Sequence, residues 1–183
     1  MRQVALLRGI NVGGKNHLAM KDLVAICTGA GCTDVATYAQ SGNVVLSSST
    51  DPARAIESAI ARRHGLRVPV VTRTQRELAE VVRAHPFADD EEHLHVMFLA
   101  DAPSATLVRA LDPQRSPGDR FEVHGRELFL HLPNGVARTK LSNAYVDATL
   151  ATVSTQRTWR TVLALHELVR GAPAPPRRAR PTR

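Results

Sequence analysis

Three glycines within six residues, Gly9, Gly13 and Gly14, stand between the apolar run Val4-Ala5-Leu6-Leu7 and a helical pattern that begins near Met20. Glycine at that density suits a backbone that takes positive φ or comes close to another group. The chain therefore starts as a buried strand, Val4 to Arg8, then a polar loop, then a helix. The same loop carries Arg8, Asn11, Lys15 and Asn16, which is two cations and two amides. A plain strand-to-helix connection needs none of them. The loop reads as anion-facing and as the centre of the functional site.

The remaining pattern constrains the fold further. Leu23, Ile26, Cys27 and Ala30 recur at helical spacing, and Gly29 and Gly31 stop that helix. Asp34 to Gln40 and Val44 to Leu46 are β-prone runs around Ser41-Gly42-Asn43, and the Gly42-Asn43 pair predicts a primed hairpin turn. Thr50-Asp51-Pro52 opens a second helix that carries Ile56 and Ile60 and ends at Gly65. Val68 to Thr72 is a fourth strand, placed at an edge by Pro69. The order β-α-β-β-α-β is that of a ferredoxin-like unit.

A linking helix, Gln75 to Ala84, and a solvated acidic loop, Asp89-Asp90-Glu91-Glu92, come next. The cycle then repeats without obvious sequence repetition. His95 to Leu99 is a strand, Ser104 to Leu111 a helix, and Arg120 to Val123 with Glu127 to His131 a hairpin around His124-Gly125. Arg138 to Leu150 reads as a helix and Thr152 to Thr155 as a last strand. Thr158 can cap a final helix, Trp159 to Arg170, closed by Gly171. The expected class is α+β: two ferredoxin-like (βαββαβ) halves, 1–74 and 93–156, linked by 75–92. A helix at 157–171 and a disordered basic tail at 172–183 complete it.

Topology gives the glycine loop a partner. The first and second strands of such a sheet point the same way, so the loop after one and the hairpin after the other share an edge. Arg8, Asn11, Gly13, Gly14, Lys15 and Asn16 are therefore expected to face Ser41, Gly42 and Asn43 across a ligand site. Arg138, Lys140 and Arg157 form a candidate second anion contact, set against an equally weighted reading as solvated basic residues.

Charge and composition exclude several classes. The net charge is +7, but Arg177, Arg178, Arg180 and Arg183 supply four of those charges, leaving +3 on the remainder. Arginine outnumbers lysine 21 to 3, which suggests a coding bias as much as a basic surface. Seven aromatic residues are thin for a base-stacking platform. No run approaches the ~20 apolar residues of a membrane span, and no signal-peptide pattern opens the chain. Cys27 and Cys32 form no C-x-x-C pair. A cytoplasmic protein without a membrane partner is the expectation.

Catalytic motifs are incomplete. Gly9, four residues, then Gly14-Lys15 imitates a P-loop, but Asn16 replaces the Ser or Thr that would hold magnesium. In a P-loop the helix also begins at the Gly-Lys step, so that its N-terminal amides meet the phosphates, whereas this one starts near Met20. Ser41 lacks the Gly-x-Ser-x-Gly setting of a nucleophile. His93 and His95 share a strand face, with His131 across from it, but a third ligand with defined spacing is missing, so no metal is assigned.

Leu6 to Asn16, Thr37-Tyr38-Ala39-Gln40-Ser41-Gly42-Asn43-Val44, Leu132-Pro133-Asn134-Gly135 with Lys140-Leu141, and Thr155 to Val162 carry a family signature. By these motifs the chain resembles the bacterial family labelled domain of unknown function 1697. One departure is Thr158, where that family commonly has asparagine before the last helix. Threonine caps as asparagine does. The resemblance implies two ferredoxin-like halves and brings no substrate, cofactor or mechanism. The functional expectation is a protein binding a phosphate- or carboxylate-bearing small ligand at the glycine loop. The alternatives are nucleic-acid association through the basic tail, a nucleotide hydrolase or transferase with a degenerate P-loop, and a purely structural loop. Catalysis, cofactor and oligomeric state are left open.

Overall fold

A computed structural model describes residues 1–171; the basic segment 172–183, expected above to be disordered, lies outside the described residues. The first half runs β1 (Arg2–Leu7), α1 (Met20–Gly29), β2 (Thr33–Tyr38), β3 (Asn43–Ser47), α2 (Ala53–His64) and β4 (Val70–Thr74). α3 (Gln75–Ala84) and a 3-10 turn at Glu91–His93 lead into the second half. That half comprises β5 (Leu94–Leu99), α4 (Ala105–Arg109), β6 (Arg120–His124), β7 (Glu127–His131), α5 (Asn143–Leu150) and β8 (Ser154–Thr158), and α6 (Trp159–Val169) follows. The sheets have the orders β2-β3-β1-β4 and β6-β7-β5-β8, the same antiparallel ferredoxin-like topology twice.

Burial shows why both halves are needed. The central strands β1 and β5 are buried on both faces: Val4 to Leu7 and Leu94 to Leu99 are all buried, and only His95 keeps any contact with solvent. Ala5, Leu7, Val44 and Leu46 face Leu23, Ile26, Ile56 and Ile60 of α1 and α2. Met97, Leu99, Leu128 and Leu130 face Val146 and Leu150 on α5. The other faces meet in one shared core: Val4, Leu6, Val96 and Phe98 pack with Leu78 and Val81 of α3 and with Trp159, Val162 and Leu165 of α6. The helix expected to be a linker is thus half of an inner layer, paired with α6.

Both inner helices start alike. Thr74 and Thr158 end β4 and β8, and each hydroxyl accepts the N–H three residues on, from Glu77 and Thr161. At Thr74 the cap is reciprocal: Glu77 accepts the Thr74 N–H at 2.8 Å, completing a capping box. Glu77 also takes Arg126 from the other half at 2.5 Å. Burial pushes the Glu77 pKa up, but the hydrogen bonds from Thr74 and the charge of Arg126 outweigh it, and the net shift is downward. A carboxylate with a lowered folded-state pKa stabilises the fold above its unfolded pKa and loses that contribution as pH falls through the folded value. Glu77→Gln keeps the capping-box acceptor and loses only a screened, partly exposed ion pair with Arg126, so it should cost no more than about 0.5 kcal/mol at neutral pH. It should also flatten the fall of stability below pH ~4.3, as read by urea unfolding across pH.

Several expected boundaries move. Asn43 is the first residue of β3, so the hairpin turn is Ala39 to Gly42, with positive φ at Ala39 and Gly42 and not at Asn43. The helix expected from Arg138 begins at Asn143, because Ser142 is the residue whose hydroxyl caps it. Arg138 and Lys140 are loop residues, not the N-terminal turn of a helix. The last strand runs to Thr158 rather than Thr155, continuing along β5 to His95. His93 stands in the 3-10 turn and not in the strand with His95.

Candidate functional site

The glycine loop is a miniature hairpin. Gly13 and Gly14 have φ of 57° and 73°, the two positive values of a type I′ turn, and Val12 and Lys15 bridge across it. The Asn11 N–H donates to the Asn16 carbonyl at 3.2 Å and closes the loop below. Both asparagines take left-handed backbone and spend their amides inside the loop. Asn16 Nδ2 donates to the Gly9 carbonyl at 3.0 Å. Asn11 Oδ1 accepts the Leu18 N–H, and its Nδ2 donates to the carbonyls of Leu18 and Gln40, each at 2.9 Å. The Gln40 contact ties the loop to the β2–β3 hairpin, so the two segments do converge at one sheet edge.

The charged and hairpin residues separate into two groups. Arg8 pairs with Asp147 of α5, across the junction of the halves. Asn43 is fully buried; its Nδ2 donates to the Tyr38 carbonyl at 3.0 Å and the Ser41 hydroxyl at 3.1 Å. Gly42 is buried under Leu7 and Ile10. Exposed Lys15 has no ion-pair partner among the described residues. It lines a cavity of about 410 Å³ with Asn11, Gly14, His17, Met20 and Gln40. Ala19, at the N-cap of α1, also lines it and has no side chain to accept an N–H from the first helical turn. Asp22 is the acid in that turn. Four residues, Asn16 to Ala19, separate Lys15 from the helix start at Met20, so the P-loop geometry is absent.

Arg157 is no surface contact: it is a buried clasp between the halves. Its Nε donates to Asn43 Oδ1 at 2.5 Å, and Nη2 donates to the carbonyls of Leu7 at 2.8 Å and Gly42 at 3.2 Å. Its Nη1 is held by Thr155 and the Gln156 carbonyl. Arg138 and Lys140 are exposed and do not join it. Burial draws the Arg157 pKa down to about 10, leaving the guanidinium charged at neutral pH.

Sequence reasoning missed the counterpart of this clasp, Arg73. It lies beside Val4 on β4 as Arg157 lies beside Val96 on β8. Its Nε donates to Glu127 at 2.7 Å, and Nη2 donates to the carbonyls of Leu99 and Arg126. Leu7 and Gly42 in one half correspond to Leu99 and Arg126 in the other, each pair joined by a 2.8 Å backbone bond. The halves thus exchange arginines about a quasi-two-fold axis. The sequence signal was the shared Arg-Thr-x-Arg of Arg73 to Arg76 and Arg157 to Arg160. The exchange is unequal: Glu127 is a carboxylate and Asn43 an amide. Only an amide can accept from Arg157 while donating to Tyr38 and Ser41.

The histidines behave differently from their pairing in sequence. Asp90, read as part of a solvated acidic loop, reaches His93 Nδ1 and His131 Nε2 at 2.9 Å each. Those hydrogen bonds, from His131 first, hold the Asp90 carboxyl down at about 2. His95 is turned away, its Nδ1 on the His93 carbonyl.

The family model for proteins of unknown function DUF1697 matches residues 1–129, the whole first half and the larger part of the second. The chain belongs to the DUF1697 family. The solved structure of conserved bacterial protein SP0830 from Streptococcus pneumoniae is similar to this DUF1697 protein at a TM-score of 0.68 and 18% identity. That likeness covers 92% of this chain and 98% of that one, and at such identity it concerns the fold alone. No curated protein matches the chain. Among the described residues no helix is long and apolar enough to cross a membrane.

Proposed function

We propose that this DUF1697 protein binds a small phosphate- or carboxylate-bearing ligand in the cavity beside the glycine hairpin. The supporting observation is the 410 Å³ space that Lys15, His17 and Gln40 share with the side-chain-uncapped start of α1. Its size suits a small molecule. The helix start supplies N–H groups and a positive dipole end, and Lys15 supplies a point charge. Asn16 and Gly13 shape the hairpin rather than touch the ligand, Asn11 lines the cavity with its amide already spent on Leu18 and Gln40, and Asn43 and Gly42 support the hairpin from beneath. Arg8, neutralised by Asp147, fixes the loop to the second half.

Lys15→Met tests the reading. It keeps much of the aliphatic stem and removes the charge at an exposed position, so stability should stay within about 0.5 kcal/mol. Affinity for a ligand found by screening phosphorylated and carboxylated metabolites should fall by roughly 1.5 to 3 kcal/mol. Thermal melts and titration calorimetry on both proteins read the two quantities. Equal affinity of both proteins for every hit would remove Lys15 from the site, and a large drop in melting temperature would make it a structural residue.

A further inference from the structure

We propose that Asp90, His93 and His131 form a binding site for a divalent transition-metal ion of the zinc type. The three ligand atoms lie within 4.8 Å of one another, with Asp90 Oδ2 at 2.9 Å from each imidazole nitrogen. Two ligands on one tetrahedral zinc stand about 3.3 Å apart, given bond lengths of about 2.0 to 2.2 Å. Opening the two 2.9 Å contacts slightly, with the two imidazole nitrogens already within 4.8 Å of each other, admits the ion. Two nitrogens and one carboxylate oxygen are a donor set that zinc and its first-row neighbours accept, leaving a position for water.

The frame that holds these side chains is tied together by local contacts. Asp90 and His93 bracket a 3-10 turn, whose three-residue period brings positions i and i+3 onto one face. His131 ends β7, is only 7% exposed, and packs its ring against Phe87. The Leu132 N–H donates to the His93 carbonyl at 3.0 Å and pins the turn to the end of that strand. Asp89, Glu91 and Glu92 flank Asp90 in the sequence; Glu91 is paired with His85 at 3.4 Å, and Arg120 lies 4.0 Å from Asp89. His131 Nδ1 has no hydrogen-bond partner among the described residues. Asp90 accepts the Nε2 proton in the metal-free protein, and the open Nδ1 can take that proton when Nε2 takes a metal. A ligating histidine without an outer partner gives up about 10- to 100-fold in affinity, which places the expected Kd in the micromolar range.

The test uses the full chain, made without a polyhistidine tag and stripped with chelator, titrated with zinc chloride in a calorimeter. Cobalt(II) serves as a visible-absorption probe of the same site. One ion per chain at micromolar Kd is expected, with binding weakened at least tenfold in His93→Gln and in Asp90→Asn. His64→Gln, at the exposed end of α2, should bind as the parent does. The cobalt complex of the parent should show a ligand-field band that His93→Gln lacks. His93 is partly exposed, so its replacement leaves the core untouched. No zinc binding tighter than millimolar by the parent would overturn the proposal. Undiminished binding by His93→Gln and Asp90→Asn would overturn it as well, by placing the ion elsewhere.

Discussion

Arg157→Met should cost about 4 kcal/mol of stability, among the larger losses a single substitution produces. Methionine fills part of the space but offers no donor. The Leu7 carbonyl and Asn43 Oδ1 would each lose a charge-assisted hydrogen bond inside the protein, and an unpaired buried acceptor costs about 1 to 3 kcal/mol. The Gly42 carbonyl still accepts the Leu7 N–H, so it suffers less. One effect runs the other way. Arg157 has no carboxylate against it, and removing it relieves the desolvation of a buried charge. Five donors matched by protein oxygens offset most of that desolvation in the parent, so the loss of hydrogen bonds decides the sign. Urea unfolding should show a lowered midpoint at unchanged slope. A loss under about 1 kcal/mol would mean that the clasp is dispensable.

The matching substitution, Arg73→Met, strands a carboxylate instead. Glu127 is 16% exposed, close enough to water to recover part of its solvation. Its penalty should therefore be no larger than that of Arg157→Met, although Arg73 is the residue with the ion pair. A formal salt bridge is a poor guide to which of two buried arginines matters more.

The sequence disclosed the fold more readily than the site, and the reason is physical. Alternating and continuous apolar runs report which faces are buried, and β1, β3, β5 and β7 carry such runs. Boundaries slipped where polar side chains decided them, as at Ser142, which caps α5 five residues later than the Asn-Gly turn suggested. The inner layer was hidden because α3 looks like any amphipathic connector. What makes it central is a second helix, α6, 84 positions away in the repeated pattern Arg73-Thr74 and Arg157-Thr158. Arg157 was legible as a cation but not as a buried one, since burial of an arginine depends on carbonyls contributed by the other half. Asp90 was obscured by its acidic neighbours. Spacing brought the glycine loop and the Gly42 hairpin to one edge, yet could not tell which amides were spent holding the loop together.

Gly42→Ala should cost about 3 kcal/mol, and Gly13→Ala no more than about 1. Both glycines have positive φ, 75° and 57°, so both substitutions place a side chain in the left-handed region at a cost of roughly 1 kcal/mol. Their surroundings differ. A Cβ on Gly13 would meet nothing within 4 Å. On Gly42 it would stand 2.7 Å from Leu7 Cβ and 3.0 Å from Ile10 Cγ1. Leu7 Cβ sits on the backbone of the buried central strand and cannot swing aside, so the turn itself must lift, and overpacking of this kind costs about 1 to 3 kcal/mol more. The consequence reaches beyond the turn. The Gly42 carbonyl pairs with the Leu7 N–H at 2.8 Å and accepts Arg157 at 3.2 Å, so displacing it loosens the clasp between the halves. Urea unfolding of Gly42→Ala, Gly13→Ala and their double variant measures the contrast. Equal losses at the two positions would show that backbone conformation alone selects glycine at Gly42 and that the approach of Leu7 is not what fixes it.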